Sequence, residues 1–251
     1  MTCISKTLWL AGIVLGLLAD GASSAATIVI DATRSGWYTN STSSGLSNEN
    51  YIVGESGSEY RNFFVFDLTG IPVTDTVVSA TLRLWTPVMD VPNNQYYDGY
   101  ESPDPSETYQ LVEVTTPAVT LLLGGGLSAP VYADLGDGPE YGTRAMCAAD
   151  IGTNVDIALN AAAVSAIDSA VGLFAIGGHL TTLRSDPFTV ETAFAGTSDT
   201  SLRQLVIETN AVPEPASGAL VALGLIAIGA RPRRNRGLRR SDRLRAYAWW
   251  M

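Results

Sequence analysis

Arg61-Asn62-Phe63-Phe64-Val65-Phe66-Asp67-Leu68 carries apolar side chains on both of its faces. Successive side chains of a strand point to opposite sides. Phe64, Phe66 and Leu68 therefore share one face, and Phe63 and Val65 the other. The spacing predicts a strand over Glu59–Leu68 that is buried on both sides, as in the interior of a layered fold. Thr69-Gly70-Ile71-Pro72 turns the chain. Thr76–Thr86 then alternates, with Val78, Ala80, Leu82 and Leu84 expected inward and Ser79, Thr81 and Arg83 outward.

Outward from this pair the pattern stays β. Further strands are expected near Thr27–Asp31, Thr108–Thr115, Val131–Asp134, Asn154–Leu159, Gly172–Ile176, Phe188–Ala195 and Leu202–Thr209, with a polar loop over Ser41–Asn50. One short helix is predicted over Ala161–Ala170. Asn160 is its cap, Val164, Ile167 and Val171 share one face, and Gly172 ends it. Many short strands with Gly/Pro turns predict an all-β fold, an antiparallel β-sandwich of jelly-roll type with one short helix.

Arg61–Leu68, Ile71-Pro72 and Val78–Leu84 together resemble the paired strands of DNRLRE-type β-sandwich domains. These are related to a carbohydrate-binding module family and common on bacterial surfaces. Gly172–Gly178 and Arg203–Ile207 resemble later strands of such proteins. The resemblance rests on core residues, so it implies a fold rather than an activity.

The segment 27–211 is lopsided in charge. It holds six arginines (34, 61, 83, 144, 184, 203) and no lysine against 22 acidic residues. The whole-chain charge of −10 hides this, because eight more arginines follow residue 230. Such a body repels nucleic acid and anionic lipid and suits divalent cations, although solubility explains the same charge. Once a leader is removed Cys147 is the one cysteine, so packing and not a disulfide holds the fold. Cys147 itself is expected to be a small buried residue.

Both ends of the chain point to export. Lys6, the apolar stretch Leu8–Ala19 and the small residues Ala22–Ala26 have the layout of a secretory signal peptide over 1–26, with cleavage after Ala25 or Ala26. At the other end, Val212-Pro213-Glu214-Pro215 blocks any helix running on from the preceding domain. The apolar run Ala216–Ala230 follows, shorter than the roughly 20 residues of a full span. Arg231, Arg233, Arg234 and Arg236 come next, and cationic flanks stay cytoplasmic. This order resembles the PEP-CTERM sorting signal of Gram-negative bacteria, over about 212–236. The resemblance implies recognition by an exosortase-class membrane enzyme, cleavage near Pro213-Glu214-Pro215, transient membrane anchoring through a helix at 216–230, and release or attachment at the cell surface. Proteins with this signal tend to accompany exopolysaccharide systems, which makes exopolysaccharide a candidate partner. The basic, aromatic extension 237–251 departs from the family pattern.

Two loops are candidate sites. The Pro-punctuated segment 93–107 combines Tyr96, Tyr97 and Tyr100 with Asp98, Glu101, Asp104 and Glu107. Aromatic faces stack on sugar rings and carboxylates bond hydroxyls, so Tyr96, Tyr97, Asp98, Tyr100 and Glu101 form the glycan-contact candidate. An ordinary acidic surface loop has the same composition. Asp134-Leu135-Gly136-Asp137-Gly138-Pro139-Glu140 offers Asp134, Asp137 and Glu140 as oxygen ligands for calcium, while an acidic hairpin turn explains it without metal. No other cofactor is expected.

Enzyme signatures are missing from the sequence. There is one histidine, His179, and no Gly-x-Ser-x-Gly elbow. One histidine and one mature cysteine exclude the usual zinc sets. Gly124-Gly125-Gly126 lacks the Lys-Ser/Thr of a phosphate loop. The expectation is an exported, non-catalytic surface or matrix protein. The alternative is a carbohydrate-binding module using the acidic, Tyr-rich loop.

Overall fold

The computed structural model describes residues 25–88, 99–124, 128–184, 188–198 and 200–211, all within one compact unit, Ala22–Val212. Twelve strands follow in chain order: β1 Ala25–Asp31, β2 Arg34–Tyr38, β3 Val53–Glu55, β4 Glu59–Asp67, β5 Asp75–Thr86, β6 Tyr100–Glu101, β7 Glu107–Glu113, β8 Glu140–Met146, β9 Thr153–Ala158, β10 Leu173–Leu180, β11 Glu191–Ala193 and β12 Arg203–Ala211. Three helices join them: α1 Ala118–Leu122, α2 Ser128–Asp137 and α3 Ala161–Ser169.

The strands form two antiparallel sheets. The smaller runs β1-β12-β5-β9; the larger runs β6-β11-β3-β4-β10-β7-β8, with β2 also on β4. One apolar cluster joins the inner faces: Leu82, Leu84, Leu205, Ile207 and Val155 from the smaller sheet meet Phe64, Phe66, Tyr109, Leu111 and Ile176 from the larger. The chain is mostly β with few helices, as its alternation required.

β4 is apolar on both faces because it is covered on both. Phe64 and Phe66 enter the core between the sheets. Phe63 and Val65 face outward and join Tyr38, Ala175, Leu121, Val131 and Leu135 in a second cluster. The last three residues come from α1 and α2, which roof the outer face. The expected strand over Val131–Asp134 is therefore corrected to a turn of α2. Val131 and Leu135 stand four apart, on one helical face, and both are buried. A short apolar stretch does not distinguish the two periods.

β5 corrects a second expectation. Val77, not Val78, is buried, and Val78 stays 47% exposed. The register against β12 slips between Glu208 and Thr209, so Val78 is an extra residue. A bulge flips the alternation on one side of itself. Beyond it Ala80, Leu82 and Leu84 point inward as expected.

α3 starts where expected. Asn160 Oδ1 accepts a hydrogen bond from the Ala163 amide (3.0 Å), and Asn160 Nδ2 donates to Glu140 O (2.6 Å). The helix closes at Ser169, so Val171 lies outside it and is 96% exposed instead of sharing the face of Ile167. In the expected strand Phe188–Ala195 only Glu191–Ala193 pairs. Phe188 is exposed, and Phe194 adopts φ 58°. That left-handed backbone is costly for an aromatic residue; it lets the buried Phe194 ring meet Tyr51 and Tyr109 at 5.6 and 5.3 Å. Cys147 is half-buried, short of the full burial expected. β2, β3, β6 and β8 are additions that alternation did not mark out.

A polar pin crosses the larger sheet. The fully buried Asn62 donates to Tyr51 O (2.8 Å) and accepts from the Tyr109 hydroxyl (2.8 Å). A Cβ on Gly178 would stand 2.3 Å from that hydroxyl and 2.5 Å from Asn62 Oδ1. Asn62→Ala orphans two buried groups and is expected to cost about 2–4 kcal/mol. Gly178→Ala forces the pin apart and is expected to lower stability by about 1–3 kcal/mol. Urea melts check both: the midpoint falls at unchanged slope.

Candidate functional site

The structure places some of the sequence-predicted site residues. Tyr96, Tyr97 and Asp98 lie outside the described residues. Tyr100 is buried in β6, with its hydroxyl donating to Asp104 O (3.2 Å). Burial raises its pKa. Its ring therefore belongs to the core and offers no face for stacking on a sugar, which corrects that part of the glycan candidate. Glu101 is exposed beside it.

The calcium candidate does not assemble. Asp134 sits on α2, where its carboxylate accepts from the Thr115 amide and hydroxyl (3.1 and 2.5 Å) and from the Thr116 amide (2.7 Å). Burial raises its pKa, but these hydrogen bonds outweigh burial and leave it lowered. Asp134 thus fastens α2 to the end of β7. Asp137 ends the helix, exposed, and Glu140 begins β8, where it accepts from Gln110 (3.4 Å). The expected hairpin turn is a helix end, and its acids do not converge.

Among the described residues, the acids that do converge are Asp104, Glu107 and Glu191, whose ligand atoms lie within 4.8 Å of one another. Three elements supply them. Asp104 comes from the loop after β6, Glu107 opens β7, and Glu191 opens β11. Glu107 and Glu191 are 0% and 1% exposed. Buried carboxylates require partners. Glu107 accepts from the Ser102 hydroxyl (2.6 Å) and from the Thr182 hydroxyl. Glu191 accepts from the Arg184 amide (2.7 Å), and Arg184 Nε stands 3.3 Å from its other oxygen.

Arg184 is the cation of this group. Its guanidinium forks onto both oxygens of Asp104, with Nε 3.0 Å from Oδ2. Hydrogen bonding to Arg184 holds the Asp104 carboxyl below the usual carboxylate range. An all-oxygen donor set suits a hard cation such as calcium. The guanidinium already supplies one positive charge there, leaving three carboxylates against it. Sequence reasoning picked out Asp104 and Glu107 as members of an acidic loop. It missed Glu191 and Arg184, which reach them from about 80 residues away along the chain.

Elsewhere, His179 lies on β10 opposite Gln110. Burial, then the nearby Arg61 charge, lowers its pKa, so the imidazole is neutral at pH 7. Arg61 lies over the Tyr132 ring at 4.1 Å and donates to Tyr132 O and Ala133 O, tying β4 to α2. No helix among the described residues is long and apolar enough to cross a membrane.

Val212, Pro213, Glu214, Pro215, Arg231, Arg233 and Arg234, like the apolar run 216–230 and leader residues 1–24, fall outside the described residues. The structure shows where the preceding strand ends: Ala211, the last residue of β12, opposes Asp75. The chain carries a PEP-CTERM protein-sorting motif. The match spans residues 211–234 and so takes in the Pro-Glu-Pro box, the apolar run and the first arginines. No curated protein matches the chain. The sorting motif supports an exported protein handled at the membrane by an exosortase-class enzyme and directed to the cell surface. The DNRLRE resemblance has no such match.

Replacing Arg184 by Met leaves the buried acids without their cation and is expected to lower the urea midpoint at pH 7. Asp104 has a depressed pKa, so the stability it contributes is present above the ordinary carboxylate pKa of about 3.9 and is lost as the pH falls through its folded value. The gap between wild type and variant should therefore be widest near neutral pH and close on acidification, as melts between pH 7 and pH 3 would show.

Proposed function

We propose that this chain is a non-catalytic protein of the cell surface or extracellular matrix, delivered by its sorting motif, whose acidic domain associates with exopolysaccharide. The motif at residues 211–234 carries this reading. The strand orders β1-β12-β5-β9 and β4-β10-β7-β8 support a jelly-roll type of sandwich, a fold used by surface and lectin domains. Six arginines against 22 acids between residues 27 and 211 support a hydrated, self-repelling component of a polymer layer.

The leader and the domain fit together. Cleavage after Ala25 or Ala26 trims only the first one or two residues of β1 and leaves the ladder from Thr27–Glu208 onward intact.

Mass spectrometry of the exported form tests the proposal. The expected mature protein begins at Ala26 or Thr27, ends near Pro213-Glu214-Pro215, and is recovered from the surface or extracellular polymer fraction. Recovery of the untrimmed chain from the cytosol would overturn the sorting reading. Recovery of the trimmed protein away from the polymer would overturn the matrix role alone.

A further inference from the structure

Beside the end of β12 lies an open, mostly apolar groove of about 380 Å³. Ile71, Pro72 and Val73 form one wall, on the turn before β5, and Ile167, Ala170 and Val171 form the other, at the end of α3. Val73 and Val171 are 102% and 96% exposed. Neither contributes to the core, and apolar area left in water forgoes about 25 cal/mol per Å². The charged residues of the lining are Asp75 and Asp168, with no cation among them.

The place of this groove matters. Asp75 is the register partner of Ala211, and Asn210 opposes Ala25. Both ends of the domain therefore leave from the end of the sandwich that carries the groove. Opposed Cα atoms in an antiparallel pair lie about 4.5–5.5 Å apart. From Ala211, peptide geometry lets Pro215 reach no farther than about 14 Å. An enzyme acting at Pro213-Glu214-Pro215 therefore works within about 20 Å of the groove's rim.

The geometry points to this groove as a docking surface for the membrane enzyme that processes the adjoining sorting motif, with the enzyme contributing apolar side chains flanked by a cation. This rests on the sorting reading and adds that the folded domain, and not the motif alone, takes part in recognition. Charge selects this occupant over two others. Asp75 and Asp168 repel an anionic bilayer. A second copy meeting the same face across a two-fold axis would set these acids against themselves.

The test uses the full chain expressed in a bacterium that carries an exosortase, with processing followed by pulse-chase. Val73→Asp/Val171→Asp is expected to slow processing about tenfold, the effect of losing a well-packed apolar anchor. Export and melting temperature should be unchanged, because both side chains are outside the core. Val73→Ser/Val171→Ser, which removes apolar area without adding charge, should slow processing in the same direction. Pro213→Ala/Glu214→Ala serves as the motif control and should block processing. Groove variants processed at the wild-type rate while the motif variant is blocked would overturn the docking surface and leave the sorting reading standing. Wild-type processing of the motif variant as well would overturn the sorting reading, and the docking surface with it. Unchanged processing together with groove-dependent self-association in sedimentation, or with binding to phosphatidylglycerol vesicles, would reassign the groove to a second copy or to lipid and equally overturn the proposal.

Discussion

β4 is apolar on both faces, and a strand of that kind is stable only where something covers each side. This constraint organises the domain. Phe64 and Phe66 need the smaller sheet, which brings β5, β9 and β12 over them. Phe63 and Val65 need a roof, which α1 and α2 provide through Leu121, Val131 and Leu135. β4 is paired along its length by β10 on one side and by β3 and then β2 on the other. Asn62 sits in the middle of this arrangement, where its amide holds Tyr51 and Tyr109 in register. A buried amide with both ends bonded favours one packing, because any shift would leave polar groups unpaired.

The acids of this domain do more than keep it in solution. Asp134 fastens α2 to the end of β7, Asp150 accepts from Arg144 (2.6 Å) and from the Cys147 amide (2.9 Å), and Asp168 accepts from the Val77 amide at the bulge (2.8 Å). Glu49 pairs with Arg203, and Asp156 with Arg83. All six arginines of the domain are engaged in contacts with carboxylates, carbonyls or rings. With cations so few, each serves as a fixed tie. The group around Arg184 is the densest example: it joins β6 and β11, at one edge of the larger sheet, to the start of β7, close in sequence to the left-handed Phe194.

Export and fold meet at β12. Its pairing with β1 and β5 holds the strand in place up to Ala211, where the sorting motif begins. The last strand among the described residues therefore ends at the first residue of the sorting motif, and in the sequence Val212 alone separates Ala211 from the Pro-Glu-Pro box.

Alternation and composition in the sequence determined a β-rich chain, the two buried faces of β4, the capped start of α3 at Asn160, and the sorting motif. Each of these depends on neighbours in the chain, so local spacing records it. The tertiary structure alone decided the rest. Val131–Asp134 became helix because Val131 and Leu135 roof Phe63 and Val65, a demand made by a distant strand. Val78 turned outward because β12 slips register opposite it. Tyr100 left the proposed glycan surface for the core because β11 pairs with its strand. Asp104 and Glu107 found Glu191 and Arg184 only through the pairing of sheet ends far apart in sequence. Contacts between residues remote along the chain leave no period for a sequence to show, and those contacts fixed where each side chain points.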